Sequence, residues 1–192
     1  MTRQGTVAIE PMDGTAAVRA ADAFRLIYAE AFAGPPYHET EDGVAAAFRR
    51  FPAQAGDRAF RAALARAGDG EPVGMAYGRP LPSDTVWWDE LTGPVPDAVR
   101  REDGRRTFGL MELAVRGAWR GRGVARALHT ALLDGIGAER VLLNVHPANE
   151  AATAAYRAWG YRKVGEARPG GGAADLHDVM LLDLRRGPAR PS

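Results

Sequence analysis

Residues 108–133 read FGLMELAVRGAWRGRGVARALHTALL and decide the fold of this chain. The apolar run 108–115 predicts a strand, and the spacing of apolar residues predicts a helix over 123–137. The basic, glycine-rich residues between them predict a tight turn. A turn of this kind, between a strand and a helix, offers backbone N–H groups and the positive end of the helix to an anion. The stretch therefore predicts a phosphate-binding turn.

Two familiar phosphate-binding patterns do not fit this turn. Arg126 stands where the dinucleotide-binding fingerprint requires glycine or alanine. The nucleoside-triphosphate P-loop requires a Gly-Lys-Ser or Gly-Lys-Thr step, which the stretch lacks. The residues alone leave the anion unidentified, and a simple glycine-rich connector with surface arginines remains an alternative.

The composition is that of a globular domain and excludes several classes of site. The chain has 192 residues, of which 46% are hydrophobic and 26% charged, enough for one self-sufficient core. The formal net charge of +1 predicts neither a nucleic-acid nor a membrane partner. The absence of cysteine excludes disulfides, thiolate metal sites and cysteine nucleophiles, and we expect no metal. Residues 1–10 have no apolar signal segment, so we expect a cytoplasmic protein.

Hydrophobic periodicity predicts seven strands and four helices. We expect a turn at 11–14, a helix end at Pro52, a long irregular segment at 80–107 and a glycine-rich loop at 169–172. Early antiparallel strands followed by βα units predict an α/β (α+β) fold, a mixed sheet with helices on both faces. The strands are expected at 7–10, 60–67, 72–79, 108–115, 140–145, 161–165 and 176–184, and the helices at 15–32, 40–51, 123–137 and 150–159.

A second motif follows the strand predicted at 140–145. Asn149 stands at the start of a predicted helix, and Tyr156 lies seven residues later. Seven residues make nearly two helical turns, so both side chains lie on one face of the helix. The spacing alone fits two interpretations equally: a binding face, or an N-cap asparagine and a core aromatic residue.

Taken together, the two motifs resemble the GNAT superfamily of N-acetyltransferases. Residues 120–125 match its acyl-CoA signature, Arg or Gln-x-x-Gly-x-Gly or Ala. Residues 149–161 match its second motif, Asn-x-x-Ala-x-x-x-Tyr-x-x-x-Gly-Tyr, although the last pair is more often Gly-Phe in the family. The resemblance implies a GNAT-like, mostly antiparallel central sheet of six to seven strands. It also implies a single acetyltransferase domain over 1–184, followed by a disordered tail at 185–192.

The resemblance implies acetyl-CoA as the co-substrate and gives roles to named residues. The pyrophosphate would lie on the amides of the glycine-rich turn, the pantetheine arm would pair with the preceding strand, and Asn149 would contact the arm. Tyr156 would lie near the thioester sulfur and act as general acid toward the leaving thiolate. The implied cofactor-binding residues are Leu113, Ala114, Val115, Arg120, Gly121, Arg122, Gly123, Val124, Ala125, Arg126, Asn149 and Tyr156.

The residues favour direct transfer over an acyl-enzyme. Serine occurs only at positions 83 and 192, so few side chains could carry a covalent acyl group. An amine that attacks the thioester must first lose a proton, so a general base is required. Some family members carry a glutamate at the position of Asn144, which cannot accept a proton at neutral pH. The candidates for the base are Glu112, which we select as catalytic, together with His146 and His177.

The acceptor pocket is expected to come from residues 32–39, the irregular segment around Trp87 and the loop around Gly170. Acidic and aromatic side chains in these segments suit a cationic amine. The bulky Trp87 segment favours a small-molecule acceptor over a protein N-terminus or a lysine side chain. A non-catalytic acyl-CoA-binding module is an alternative, because Asn144 replaces a glutamate. A homodimer is compatible with the family, and the substrate-binding candidates are Tyr37, Glu39, Trp87 and His177.

Overall fold

The computed structural model describes residues 6–169 and 175–185, which form a sheet of seven strands with helices packed against it. The strand order is β1-β2-β3-β4-β5-β7-β6, with a parallel pair between β4 and β5 and antiparallel pairing at β1–β2, β2–β3, β5–β7 and β6–β7. The predicted mixed, mostly antiparallel sheet is therefore confirmed.

The elements follow one another along the chain with these bounds. The strands are β1 Ala8–Asp13, β2 Arg61–Arg66, β3 Pro72–Pro80, β4 Thr107–Val115, β5 Arg140–Val145, β6 Arg162–Ala167 and β7 His177–Asp183. The helices are α1 Gly14–Arg19, α2 Ala21–Phe32, α3 Glu41–Ala55, α4 Asp97–Arg100, α5 Val124–Leu133 and α6 Glu150–Ala158. Two short 3-10 turns lie at Trp87–Glu90 and Gly117–Trp119.

The chain divides into two compact units. The N-terminal unit contains the residues up to 79 together with 111–136, and the C-terminal unit contains 80–110 and the residues from 137 onward. Strand β4 runs through both. That residues 1–184 form a single domain stays a prediction. The loop positions 170–172 and the tail positions 186–192 lie outside the described residues.

In the N-terminal unit, β3 carries helices on both of its faces. A β-carbon at Gly74 would lie 2.9 Å from Leu128 of α5, so the glycine allows α5 to pack closely on that face. Met75 and Tyr77 point to the opposite face, because side chains alternate along a strand. There they join a buried cluster with residues of α2 and α3, including Phe24 and Phe51. Burial of this cluster fixes the position of α2 and of the loop that follows it.

The predicted turn at 11–14 is wrong, because β1 continues to Asp13. Pro11 is exposed and lies on an edge strand, where a residue without a backbone N–H is tolerated. Strand β1 then leads directly into a helix: the Asp13 carboxylate accepts a hydrogen bond of 2.8 Å from the Ala16 N–H. Asp13 is therefore the N-cap of α1.

Two predicted helices differ from those observed. The helix expected at 15–32 is divided into α1 and α2 at Ala20, whose ψ of 12° departs from regular helix geometry. The helix expected to end at Pro52 continues to Ala55. Phe51 and Ala55 are both buried, and the Ala55 carbonyl leaves no room for a side chain at Gly14. Packing of this last turn against α1 outweighs the backbone hydrogen bond that Pro52 cannot donate.

In the C-terminal unit, the segment predicted to be irregular is largely ordered by Trp88. This side chain is buried in a cluster with Leu142, Val179 and Leu181, whereas its neighbour Trp87 packs against the cluster and is only partly buried. The Trp88 indole N–H donates a hydrogen bond of 3.0 Å to the Glu102 carboxylate. The prediction that the paired tryptophans bring order to this segment is confirmed.

Candidate functional site

The glycine-rich turn of the N-terminal unit has the backbone that its sequence predicts. Gly121 and Gly123 have φ angles of 70° and 80°, in the left-handed region that side chains disfavour. Gly123 is the N-cap of α5 and provides no side chain to bind the first N–H groups of the helix. These amides, and the positive end of the helix dipole, are therefore available to an anion.

The arginines of this turn differ in what they contact. The Arg120 guanidinium donates to two backbone carbonyls, Val115 at 3.0 Å and Ala31 at 3.2 Å, and so fastens the turn to the end of β4. The Arg122 guanidinium lies 5.2 Å from the centre of the Trp119 ring, in a cation–π contact. Arg120 therefore acts on the backbone of the turn, while Arg122 remains exposed.

The second half of β4 offers an unused backbone edge. The parallel ladder with β5 covers only residues 107–109 of β4. Residues 111–115, which include Leu113, Ala114 and Val115, therefore have no ladder on the side away from β3 within the described ranges 6–169 and 175–185. Backbone groups left without a ladder favour pairing with an extended ligand.

Glu112 lies in this half of β4 and is partly buried. Burial, with a further contribution from the negative charge of Glu39, raises the pKa of the Glu112 carboxyl group to about 8. The pKa values of the hydroxyls of the buried Tyr77 and the partly buried Tyr28 are also raised, and Glu112 contributes to both shifts. In the described part of the chain, the Glu112 carboxyl group has neither a hydrogen bond nor an ion pair. A carboxyl group with a pKa near neutrality is suited to accept a proton.

Glu39, whose charge raises the pKa of Glu112, is connected to three aromatic residues through its hydrogen bond with Tyr28. We call Tyr28, Phe32, Tyr37, Glu39 and Glu112 the aromatic–acidic cluster. The Tyr28 hydroxyl donates to the Glu39 carboxylate at 3.2 Å, and the Phe32 ring lies 4.7 Å from the Tyr28 ring and 4.9 Å from the Tyr37 ring, between centroids. The predicted residues Tyr37, Glu39 and Glu112 all lie in the N-terminal unit.

Helix α6 of the C-terminal unit presents the second motif. The Asn149 side chain accepts a hydrogen bond of 3.1 Å from the Ala152 N–H and so caps the helix. Tyr156 is 8% exposed, and its ring contacts the rings of Trp159 and Tyr161 at 5.5 and 5.4 Å between centroids. Asn149 is therefore an N-cap and Tyr156 a core aromatic residue, as one of the two interpretations of the spacing predicted. Their roles toward a cofactor stay predictions.

His146 and His177 adjoin each other at the ends of β5 and β7, with ring centroids 5.4 Å apart. The His146 Nδ1 accepts from the Ala148 N–H at 3.1 Å, and its Nε2 lies 3.8 Å from the Asp175 carboxylate. The His177 Nδ1 lies 2.9 Å from the Asp175 backbone oxygen. The loop around Gly170, predicted to line the acceptor pocket, lies outside the described residues.

Four buried polar atoms of the C-terminal unit have no hydrogen-bond partner among the described residues: the Trp87 indole nitrogen, the Glu102 Oε2, the Asn144 side-chain oxygen and the Thr153 hydroxyl oxygen. His129, on α5 of the other unit, is buried, and burial lowers its pKa to about 4, so it is a neutral packing residue. Asn144 thus carries no charge, and His129 carries none at neutral pH.

Sequence reasoning missed two residues that shape the aromatic–acidic cluster. Tyr28 lies four residues after Phe24 and four before Phe32, so helical spacing places all three on one face of α2. That spacing could have identified Tyr28. Gly43 carries no such signal: its importance appears only because a β-carbon there would lie 1.8 Å from the Glu39 Oε1.

Two further classes of feature were sought in residues 6–169 and 175–185. None of the helices there combines the length and the apolar character that a membrane span requires. No three histidine, aspartate or glutamate side chains in these ranges converge into a group that could hold a metal ion.

The comparisons with known proteins agree on one family. The model of the acetyltransferase (GNAT) family matches residues 23–161. No curated protein sequence matches the chain. Three solved structures illustrate the fold, all at 21% identity or less, a level that shows the fold alone.

The first of these is the histone acetyltransferase HPA2 and related acetyltransferase from Corynebacterium glutamicum, which has 21% identity and a TM-score of 0.62, and the match covers 97% of this chain and 99% of that one. Arabidopsis thaliana NAA60 in complex with a bisubstrate analogue has 19% identity and a TM-score of 0.58, with 92% and 95% covered. Aminoglycoside N-acetyltransferase AAC(6')-Iy in complex with CoA has 18% identity and a TM-score of 0.54, with 85% and 93% covered.

Proposed function

Because the chain belongs to the acetyltransferase (GNAT) family, we propose that it transfers the acetyl group of acetyl-CoA directly to a primary amine in a ternary complex. The observation that carries this proposal is Glu112, a partly buried carboxyl group whose pKa is raised to about 8 and which has no ion pair or hydrogen bond with any described residue. Perturbed groups of this kind concentrate at catalytic sites. A cytoplasmic location and homodimer formation belong to the same proposal.

The glycine-rich turn and the free edge of β4 support acetyl-CoA as the co-substrate. The uncapped N-terminus of α5 suits a pyrophosphate, and residues 121–126 provide its amides. Arg122 and Arg126 add positive charge, whereas Arg120 holds the turn in shape. The backbone of residues 113–115 suits an extended pantetheine arm. Asn149, as the cap of α6, is the proposed contact of that arm in the C-terminal unit.

The proposed reaction requires one base and one acid. Glu112 accepts a proton from the acceptor ammonium, and the free amine nitrogen then forms a bond to the thioester carbon. As the carbon–sulfur bond breaks, the Tyr156 hydroxyl donates a proton to the leaving thiolate, and the second proton that the nitrogen loses as it becomes an amide restores the phenol. A phenol with an ordinary pKa of about 10 can assist a thiolate whose thiol has a pKa of about 8.5, because the transfer need not be complete. No covalent acyl-enzyme is required.

We propose a small-molecule amine as the acceptor, bound by Tyr37, Glu39, Trp87 and His177. The well-ordered Trp88 segment supports a restricted pocket, because it places bulk beside Trp87. A peptide or protein N-terminus is the second candidate. The uncharged Asn144 supports a third candidate, a module that binds acyl-CoA without turnover.

The test follows free thiol while the protein is incubated with acetyl-CoA and a panel of small amines and peptides. Thiol release that requires an amine supports transfer, and calorimetric CoA binding without release supports the binding module. Tyr156→Phe removes only the hydroxyl and is expected to lower kcat about tenfold to a hundredfold. Tyr161→Phe, a change in the neighbouring ring, is the matched control and should retain kcat. Absence of CoA binding would contradict the proposal.

A further inference from the structure

The two carboxyl groups of the aromatic–acidic cluster are partly buried and lack a cationic partner, whereas four other carboxylates of the same unit have one. Arg116 pairs with Glu30 and Glu71, Arg66 with Glu10, and Arg79 with Asp57. For Glu39 and Glu112, no ion pair is formed with any residue in 6–169 or 175–185. The charge that affects the pKa of Glu112 is instead the like charge of Glu39. Two partly buried acids without a cation form a site that a bound cation would complete.

The backbone around Glu39 is shaped to hold its carboxylate in place. The preceding residue, His38, adopts a φ of 46°, which is uncommon for a residue with a side chain. The Glu39 N–H donates to the Phe32 carbonyl at 2.9 Å, and the Glu39 Oε1 accepts from the Thr40 N–H at 2.9 Å. Gly43 leaves the space that this oxygen occupies, since a β-carbon there would lie 1.8 Å from it.

The remaining members of the cluster also suit a cation. The Tyr28 hydroxyl, 3.2 Å from the Glu39 Oε2, uses its only proton on that oxygen and keeps the carboxylate oriented. The Phe32 and Tyr37 rings meet edge to face beside it. Aromatic faces attract ammonium groups, and more strongly where water is excluded. The cation that affects the pKa of the Tyr28 hydroxyl is Arg50, and it does not contribute to the pKa shift of Glu112.

We propose, resting on the function proposed above, that the acceptor is an amine that carries a second positive charge, of the diamine or polyamine type. Glu112 takes the proton of one ammonium, and that nitrogen then forms the bond to the acetyl carbon while the carbon–sulfur bond breaks. Glu39 holds the second ammonium, which stays protonated and unreacted. The second charge binds without taking part in the chemistry, so it lowers KM for the acceptor and leaves kcat nearly the same.

The test compares butane-1,4-diamine with butylamine, which share one reacting amine and differ in the second charge. The wild-type protein is expected to show at least a tenfold higher kcat/KM for the diamine, with the difference in KM. Glu39→Gln should reduce this ratio toward 1, since it removes the charge but keeps the shape. Glu41→Gln, a nearby exposed acid outside the cluster, should keep the wild-type ratio.

The outcomes separate this proposal from the proposed function. Turnover of both amines with equal kcat/KM, or a ratio that Glu39→Gln leaves unchanged, overturns the dication proposal and leaves the acetyltransferase proposal standing. If neither amine releases thiol, the proposed function fails, and calorimetry of butane-1,4-diamine binding then tests the subsite alone. Weaker binding to Glu39→Gln than to the wild type supports the subsite, and equal binding, or no binding to either, overturns it.

Discussion

Two partly or fully buried glutamates, one in each unit, have opposite surroundings. In the C-terminal unit, the Glu102 Oε1 accepts three hydrogen bonds, from Trp88 at 3.0 Å, Thr107 at 2.8 Å and Arg140 at 2.9 Å. The side chains of the Glu102–Arg140 ion pair are 1% and 8% exposed. In the N-terminal unit, Glu112 has no such donor among the described residues, and its charged neighbour is another acid.

The difference distinguishes a carboxylate that stabilises the fold from a carboxyl group that can exchange a proton. A buried carboxylate with an arginine and hydrogen-bond donors stays ionised and orders the chain around it. A buried carboxyl group without them has its pKa raised toward neutrality, where it can exchange a proton. We therefore propose that Glu102 orders the segment 80–107 and that Glu112 takes part in catalysis. Each of the following changes tests one side of this comparison.

The largest expected effect is on catalysis by Glu112. Glu112→Gln keeps the shape but removes the proton acceptor, so kcat should fall about 10²- to 10⁴-fold. Because the base must be ionised, kcat/KM of the wild type, which reports the free protein, should rise with pH and level off above about pH 8. Steady-state thiol release between pH 6 and 9 measures both effects. A loss of less than threefold would exclude Glu112 as the base.

On the structural side, Arg140→Met should destabilise the fold strongly. It leaves Glu102 buried without its cation, which typically costs about 3–5 kcal/mol. The double variant Glu102→Gln, Arg140→Met removes both charges and should regain part of this free energy of unfolding. Urea denaturation measures the free energy of unfolding of the wild type and both variants. If the single variant lost less than about 1 kcal/mol, the Glu102 cluster would not order the segment.

A smaller effect is expected from Gly43→Ala. In a helix this change ordinarily adds up to about 1 kcal/mol of stability. Here the new β-carbon collides with the Glu39 Oε1, so the carboxylate must move and the preference for a diamine should fall several-fold. The kcat/KM ratio of the two amines measures it. Gly137→Ala, where a β-carbon meets nothing within 4 Å, is the control. An unchanged ratio in Gly43→Ala would mean that the position of Glu39 does not matter.

The smallest effect is expected from Tyr28→Phe, which removes the hydroxyl donor to Glu39 and keeps the ring. Thr40 N–H still holds the other carboxylate oxygen, so the preference for the diamine should fall only about twofold to threefold. The same kcat/KM ratio measures it. A loss as large as that of Glu39→Gln would show that the hydroxyl, and not the charge, binds the acceptor.

The sequence predicted best what local pattern determines. Strand and helix periods placed β4, β5, α6 and the hairpin of β2 and β3 within a few residues, and the motifs identified the family. Local rules failed where packing prevailed, as at Pro52. Glu39 and Glu112 were each selected from the sequence, but their mutual effect was not, because they are 73 positions apart. For the same reason, nothing in the spacing paired Glu102 with Arg140.

Glu112 also makes a prediction about stability with a definite sign. Its pKa in the folded chain, about 8, lies above the ordinary value of 4.5. Between these two values the folded state binds a proton that the unfolded state does not, so the free energy of unfolding falls as pH rises through this window. The slope contributed by one such group is about 1.4 kcal/mol per pH unit. Glu112→Gln removes this contribution.

The most direct test of the account is therefore urea unfolding of the wild type and Glu112→Gln between pH 5 and pH 9. We predict that the variant gains stability over the wild type steadily from pH 5 to about pH 8 and that the difference is constant above that pH. Glu112→Gln would thus be more stable than the wild type at high pH although it has lost activity. A difference that does not change with pH, or a wild type that is more stable throughout, would show that the Glu112 carboxylate has a partner and would contradict the account.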